Sequence, residues 1–176
     1  MVLRVLKYIN KYRNIIIIYF LILAYFLTWV PKEFNHSFDG VKYRLNSDKI
    51  IKETRVVFEG VLIKPIFGGN SFSGTITIDG VKYNVFELKF DEFNSASING
   101  LKDSGASFSL GYIYFDKAYE SFTITLYEKK GLNSYGWNPE NGLMVTAPAQ
   151  NRAEAVELAN YHLQKKMIKR GTARFN

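Results

Sequence analysis

The sequence predicts an α+β chain: an N-terminal transmembrane helix, then an antiparallel β-meander or sandwich-like sheet with one C-terminal amphipathic helix packed on it. Three observations carry this. Residues 15–30 form a run without a charge, residues 41–147 alternate apolar and polar side chains with period two, and residues 151–170 repeat apolar side chains at spacings of three and four.

The first run reads IIIIYFLILAYFLTWV, sixteen residues. A helix rises about 1.5 Å per residue, so about 20 apolar residues cross a bilayer core. The run is slightly short, but Tyr12 before it and Trp29 near its end suit the two membrane interfaces. Arg4, Lys7, Lys11 and Arg13 precede it with no acidic neighbour. Such a flank stays cytoplasmic, which places the N-terminus inside and the remainder outside. A cleaved signal peptide would end in a small-x-small site, and none follows the run. A helix packed on the core of so small a domain would keep a polar face, and four consecutive isoleucines leave none. The expected organisation is a basic flank over 1–14, a signal anchor over 15–30, a linker over 31–40, a β-rich extracytoplasmic domain with its helix over 41–170, and a tail over 171–176.

Strands are read from alternation. Thr75-Ile76-Thr77-Ile78 is one case, and Phe122, Ile124 and Leu126 against Thr123, Thr125 and Tyr127 another. Residues 54–64, 81–90 and 108–115 complete the longer set, with 41–46 and 143–147 as shorter members. Asp79-Gly80 separates two runs by two residues, as a type I′ hairpin requires. Gly68-Gly69-Asn70 and Asp116-Lys117-Ala118 supply further turns. Short connections imply antiparallel neighbours, because parallel pairs need long crossovers. Asp39-Gly40-Val41-Lys42-Tyr43 recurs as residues 79–83, and Phe58-x-Gly60-x-Leu62 echoes Phe72-x-Gly74-x-Ile76. Turn-then-strand has few good spellings, so these echoes are read as local chemistry and not as a duplication.

After Pro148 the period changes. Asn151 caps a helix, with Glu154 three residues on as in a capping box. Ala153, Val156, Ala159, Leu163 and Met167 form the apolar stripe that packs on the sheet. Leu158 falls off it.

The net charge of +7 resides at the ends. Residues 32–163 hold 14 basic and 16 acidic side chains, a balance of −2. Nucleic-acid binders need a clustered basic face, so that class of partner is excluded. The absence of cysteine removes thiolate metal sites, thiol catalysis and disulfides. Abundant isoleucine, lysine and asparagine together with the anchor point to a bacterial cell envelope.

No catalytic or cofactor signature is present. The two histidines, His36 and His162, are expected at the surface, the second away from the helix stripe. Glu87, Asp91 and Glu92 are the densest acidic group; paired carboxylates serve as acid and base in hydrolases, but the spacing matches no calcium loop. The glycine-rich loop 65–74 lacks the Lys-Ser/Thr of a phosphate loop, and Ser104 has no Gly-x-Ser-x-Gly elbow around it. Residues 131–142 form a loop longer than a hairpin needs. Its Tyr135, Trp137 and Asn138 combine stacking area with adaptable hydrogen bonding, the composition of recognition surfaces. Lys165, Lys166, Lys169 and Arg170 suit contact with an anionic surface.

The function expected on these grounds is a membrane-anchored extracytoplasmic interaction module whose partner is another envelope protein, with no cofactor. Two alternatives stand beside it: an envelope hydrolase using Glu87, Asp91 and Glu92, and a structural component acting through its membrane helix. The apolar run has no Gly-x₃-Gly face, which disfavours tight helix pairing.

Overall fold

A computed structural model describes residues 2–27, 30–48, 50–66, 68–101, 105–131 and 134–170, with side chains from Tyr12 to Gln164. The chain is α1 (Val2–Leu27), β1 (Lys32–Arg44), β2 (Ile50–Ile63), β3 (Ser71–Ile78), β4 (Val81–Lys89), β5 (Ser95–Leu101), β6 (Ser107–Phe115), β7 (Phe122–Leu126), β8 (Glu128–Lys129), β9 (Tyr135–Gly136), β10 (Leu143–Ala147) and α2 (Arg152–Arg170). The strands are antiparallel, as expected. They form neither an open meander nor a sandwich: eight of them close into a barrel in the order β1-β10-β7-β6-β5-β4-β3-β2. Closure comes from β1 meeting β10, with Val41 opposite Thr146 and Arg44 opposite Leu143.

Two segments differ from the sequence reading. The expected linker 31–40 is strand from Lys32 onward, because Phe34 and Phe38 insert into the core while Asn35 accepts the Gly60 amide across the β1–β2 ladder. β5, spelled SASINGL, escapes a hydropathy reading because small and polar residues dominate it. The repeated pentapeptides also differ: 39–43 lies within β1, whereas Asp79 and Gly80 both take positive φ in the β3–β4 hairpin turn. The other echo has a structural basis. Gly60 faces Gly74 across the β2–β3 ladder, with Phe58 opposite Ile76 and Leu62 opposite Phe72. A methyl on either glycine would run into the partner backbone, so the echo marks a close strand approach.

The interior is packed with rings. Phe58 touches Phe34, Phe72, Phe115 and Phe122 at centroid separations of 5.3–5.9 Å, three of these pairs near edge-on. Eight-stranded barrels have an interior just wide enough for side chains, and these fill it. Glu53, Arg55, Glu59, Glu87 and Lys89 meanwhile face solvent. Apolar inside and polar outside is the inverse of a membrane-spanning barrel. Function therefore belongs to the ends and the outer face.

α2 covers one outer flank, across β1, β10, β7 and β6. Its expected N-cap forms, Asn151 Oδ1 accepting the Glu154 amide at 3.0 Å, while the Glu154 carboxylate accepts the amide one residue earlier, that of Gln150, at 2.9 Å. Its buried face is rotated from the expected stripe. Ala155, Val156, Ala159, His162 and Leu163 are buried, and Ala153 is exposed. Small alanines let the helix approach a sheet surface of hydroxyls, Thr123, Thr125 and Thr146.

α1 is helical where the anchor was expected. From Ile15 to Leu23 every apolar side chain is between 39% and 65% exposed, so no face packs on the barrel. Among the described residues no helix is long and apolar enough to cross a membrane. The described part of the run, Ile15 to Leu27, makes roughly 20 Å of helix, against a hydrocarbon core of about 30 Å. Thr28 and Trp29, at the outer end of the expected anchor, lie outside the described residues.

Candidate functional site

Up-and-down strands sort the loops into two groups. The mouth where β1 begins carries the β2–β3, β4–β5 and β6–β7 connections. The opposite, distal mouth carries the Asp79-Gly80 turn, the β5–β6 loop and the long β7–β10 connection with the aromatic segment.

That connection is built on an ion pair. Arg44, at the end of β1, holds Glu128 through both carboxylate oxygens at 3.0 and 2.6 Å and donates to the Asn141 carbonyl at 2.8 Å. The guanidinium hydrogen bonds hold the Glu128 carboxyl below its ordinary range. β8 and β9 pair above it, Lys129 opposite Tyr135.

The three expected recognition residues lie in different surroundings. Tyr135 projects outward, 63% exposed. Trp137 instead folds back against the cluster of Val41, Tyr43, Leu45 and Met144, over Gly142, where any Cβ would meet the indole. Asn138 spends its side-chain oxygen on the Glu140 amide at 3.0 Å, a turn bond. Trp137 is therefore a wedge that holds the loop, and Tyr135 alone faces out. Lys165, Lys166, Lys169 and Arg170 have side chains outside the described residues.

Tyr135 has different neighbours from those the sequence implied. It borders a groove of about 480 Å³ with Tyr83, Phe108, Leu110 and Tyr127, and with the hydroxyls of Ser107 and Ser109. The rings of Tyr83 and Phe108 pack at a tilt of 59° with centroids 5.0 Å apart. Partial burial raises the phenols of Tyr83 and Tyr127, so both stay neutral donors. No charged side chain lines this groove among the described residues. Four strands or connections contribute to it, and no local sequence window contains them together. The only local sign was Tyr127, where the β7 alternation runs out into loop.

The acidic trio is dispersed by its turn chemistry. Asp91 Oδ1 accepts the amides of Phe93 and Ser95, both at 2.9 Å, and Oδ2 accepts the Ser95 hydroxyl at 2.7 Å. Glu87 pairs with Lys89 at 3.3 Å on the outer face of β4. Neither the Tyr135 groove nor a second groove on the barrel is lined by Glu87, Asp91 or Glu92. The second groove, about 730 Å³, is bordered by Asp39, Glu53, Arg55 and Gln150, where Arg55 and Asp39 already neutralise each other at 2.7 Å. No group of three His, Asp or Glu side chains converges on one point among the described residues.

His36 is exposed, as expected, its ring tilted against Phe34 with centroids 4.5 Å apart. His162 is not at the surface: it is 7% exposed beneath α2, with Nδ1 at 2.9 Å from Thr123 Oγ1 and Nε2 at 2.9 Å from Ser121 Oγ. Its hydropathy reads as surface, but two serine/threonine partners satisfy the ring and make burial tolerable. No protein-family model matches the chain, nor does any curated protein or solved structure.

Proposed function

We infer that this protein is a membrane-tethered interaction module of a bacterial cell envelope, with α1 in the bilayer and the barrel held outside to bind another envelope protein at its distal mouth. The observation that carries the reading is the Ile15–Leu23 stretch of α1, apolar and exposed at every side chain. A helix with no polar face needs an apolar surrounding, and the barrel does not provide one. The basic residues Arg4, Lys7, Lys11 and Arg13 favour an inside N-terminus. Only Pro31 separates the uncharged run 15–30 from β1, which favours a barrel whose β1-start mouth lies next to the membrane and whose Tyr135 groove faces away from it.

Membrane fractionation tests the tether. The full chain should stay with membranes through alkaline carbonate extraction, and the double change Ile17→Lys with Leu21→Lys should release it. Because the chain has no cysteine, Ser134→Cys gives a single thiol in the distal loop. A membrane-impermeant maleimide should label it in intact cells, and should not label Asn10→Cys. Extraction of the unaltered chain by carbonate, or the reverse labelling pattern, would overturn the tether or its orientation.

A further inference from the structure

The groove beside Tyr135 has one wall that side chains alone do not describe. Residues 107–110 all border it, although their side chains alternate between the two faces of β6. Consecutive residues of a strand share a groove when the groove runs along the strand's edge. The pairing pattern says which edge. On one side, β6 is matched by β5 down to Leu101 opposite Ser107. On the other, the β7 ladder covers Gly111 to Phe115 only, and one further bond takes the Tyr127 amide to the Leu110 carbonyl at 2.8 Å. Beyond that bond the chain turns away into β8, drawn toward Arg44 by Glu128. Over residues 107–109, β6 therefore has no strand neighbour on this side among the described residues. The groove along this edge is bordered by Tyr127 and Tyr135, and by Tyr83 and Phe108, whose rings pack at a tilt.

The geometry points to strand addition: the groove takes an extended, uncharged peptide segment of a partner protein, which continues the position that β7 leaves. Main-chain bonds to the open β6 edge would hold the segment, and its alternate side chains would lie on the tyrosine and phenylalanine faces. Among the described residues no charged side chain lines the groove, which selects the chemistry, since a charged side chain placed there would lose water and gain no counter-ion. The serine hydroxyls of Ser107 and Ser109 suit threonine, serine or asparagine in the segment. Saccharides also stack on tyrosine, but they make no use of an open strand edge. This inference rests on the interaction-module reading and names the partner's form at that same groove.

The experiment measures binding of blocked, fluorescein-labelled hexapeptides that alternate threonine with valine, isoleucine, phenylalanine, tyrosine or proline. The full chain is held in detergent micelles and read by fluorescence anisotropy. At least one peptide is expected to bind, and N-methylation of every second residue along it should weaken it about tenfold or more, as loss of main-chain donors requires. Tyr135→Ala, with an unchanged far-UV circular dichroism spectrum, should weaken it similarly. Binding that is indifferent to N-methylation on either set of alternate residues, or binding of maltohexaose in place of every peptide, overturns strand addition. Peptide failure combined with Tyr135-dependent crosslinking to a defined envelope protein in native membranes would sink this inference and leave the interaction-module reading standing. Failure of both would remove the two together.

Discussion

His162 engages both ring nitrogens under α2, and the chain of hydroxyls around it has a single direction. Tyr43 Oη lies 3.3 Å from the Ala155 carbonyl, which can only accept, so the phenol donates there. Tyr43 then accepts from Thr146 at 3.3 Å, Thr146 from Thr123 at 3.2 Å, and Thr123 from His162 Nδ1 at 2.9 Å. Nε2 is left to accept from Ser121. The neutral Nδ1-protonated tautomer satisfies every group. Burial pushes the imidazole down to about 4, against the partial opposition of Asp116. The unfolded chain therefore takes up a proton near pH 6.5 that the folded chain refuses until about pH 4. Stability is fully present above pH 6.5 and falls as the pH drops through this window, by at most roughly 3 kcal/mol. Urea denaturation of the full chain in micelles at stepped pH should show that slope. His162→Leu should flatten this contribution while costing on the order of 1–3 kcal/mol at neutral pH, because Ser121 and Thr123 lose their partner. A slope unchanged by the substitution would place the titrating group elsewhere.

Among the elements, β3 shows how backbone and sequence must agree. Gly74 sits at φ 153°, beside the register shift in the β3–β4 ladder and face to face with Gly60. An alanine there takes an unfavourable backbone conformation and drives its methyl into the Glu59 carbonyl. Gly74→Ala is expected to destabilise the barrel by roughly 1–3 kcal/mol, and Gly80→Ala, whose Cβ would meet open space, by less. Thermal melts of the two variants measure the difference, and equal melting temperatures would contradict the close approach. The Phe-x-Gly-x-aliphatic echo was legible before folding, but its meaning was not. Only the antiparallel register puts the two glycines opposite each other and turns a repeated spelling into a contact. The helix stripe behaved similarly. Asn151 and Glu154 announce the start of α2 locally, whereas the side that is buried depends on the threonine surface it meets.

For the whole molecule, the ring-filled interior is the main source of cohesion. Phe58 is fully buried at its centre, and Phe58→Ala should cost about 3–5 kcal/mol, from lost transfer energy and the cavity left behind. Phe86→Ala, an exposed position on β4, should cost within about 0.5 kcal/mol. Comparable losses at the two sites, measured by urea midpoint, would mean the core is not where these rings place it. A filled interior also sends binding to the rim, which is why the Tyr135 groove and the edge beside it are the places to look.

The sequence by itself determined the local elements: an apolar N-terminal helix, antiparallel strands with tight turns, a capped C-terminal helix, and neutral charge between basic ends. These follow from side-chain period, turn residues and caps, each a property of a few neighbouring positions. Closure into a barrel, the burial of His162, the inward fold of Trp137 and the company Tyr135 keeps were decided only by the tertiary structure. Each depends on residues far apart in the chain meeting in space, β1 with β10, α2 with the threonines of β7, and Tyr83 with Phe108. Alternation says which residues share a face of a strand; it carries no information about which strand lies beside it.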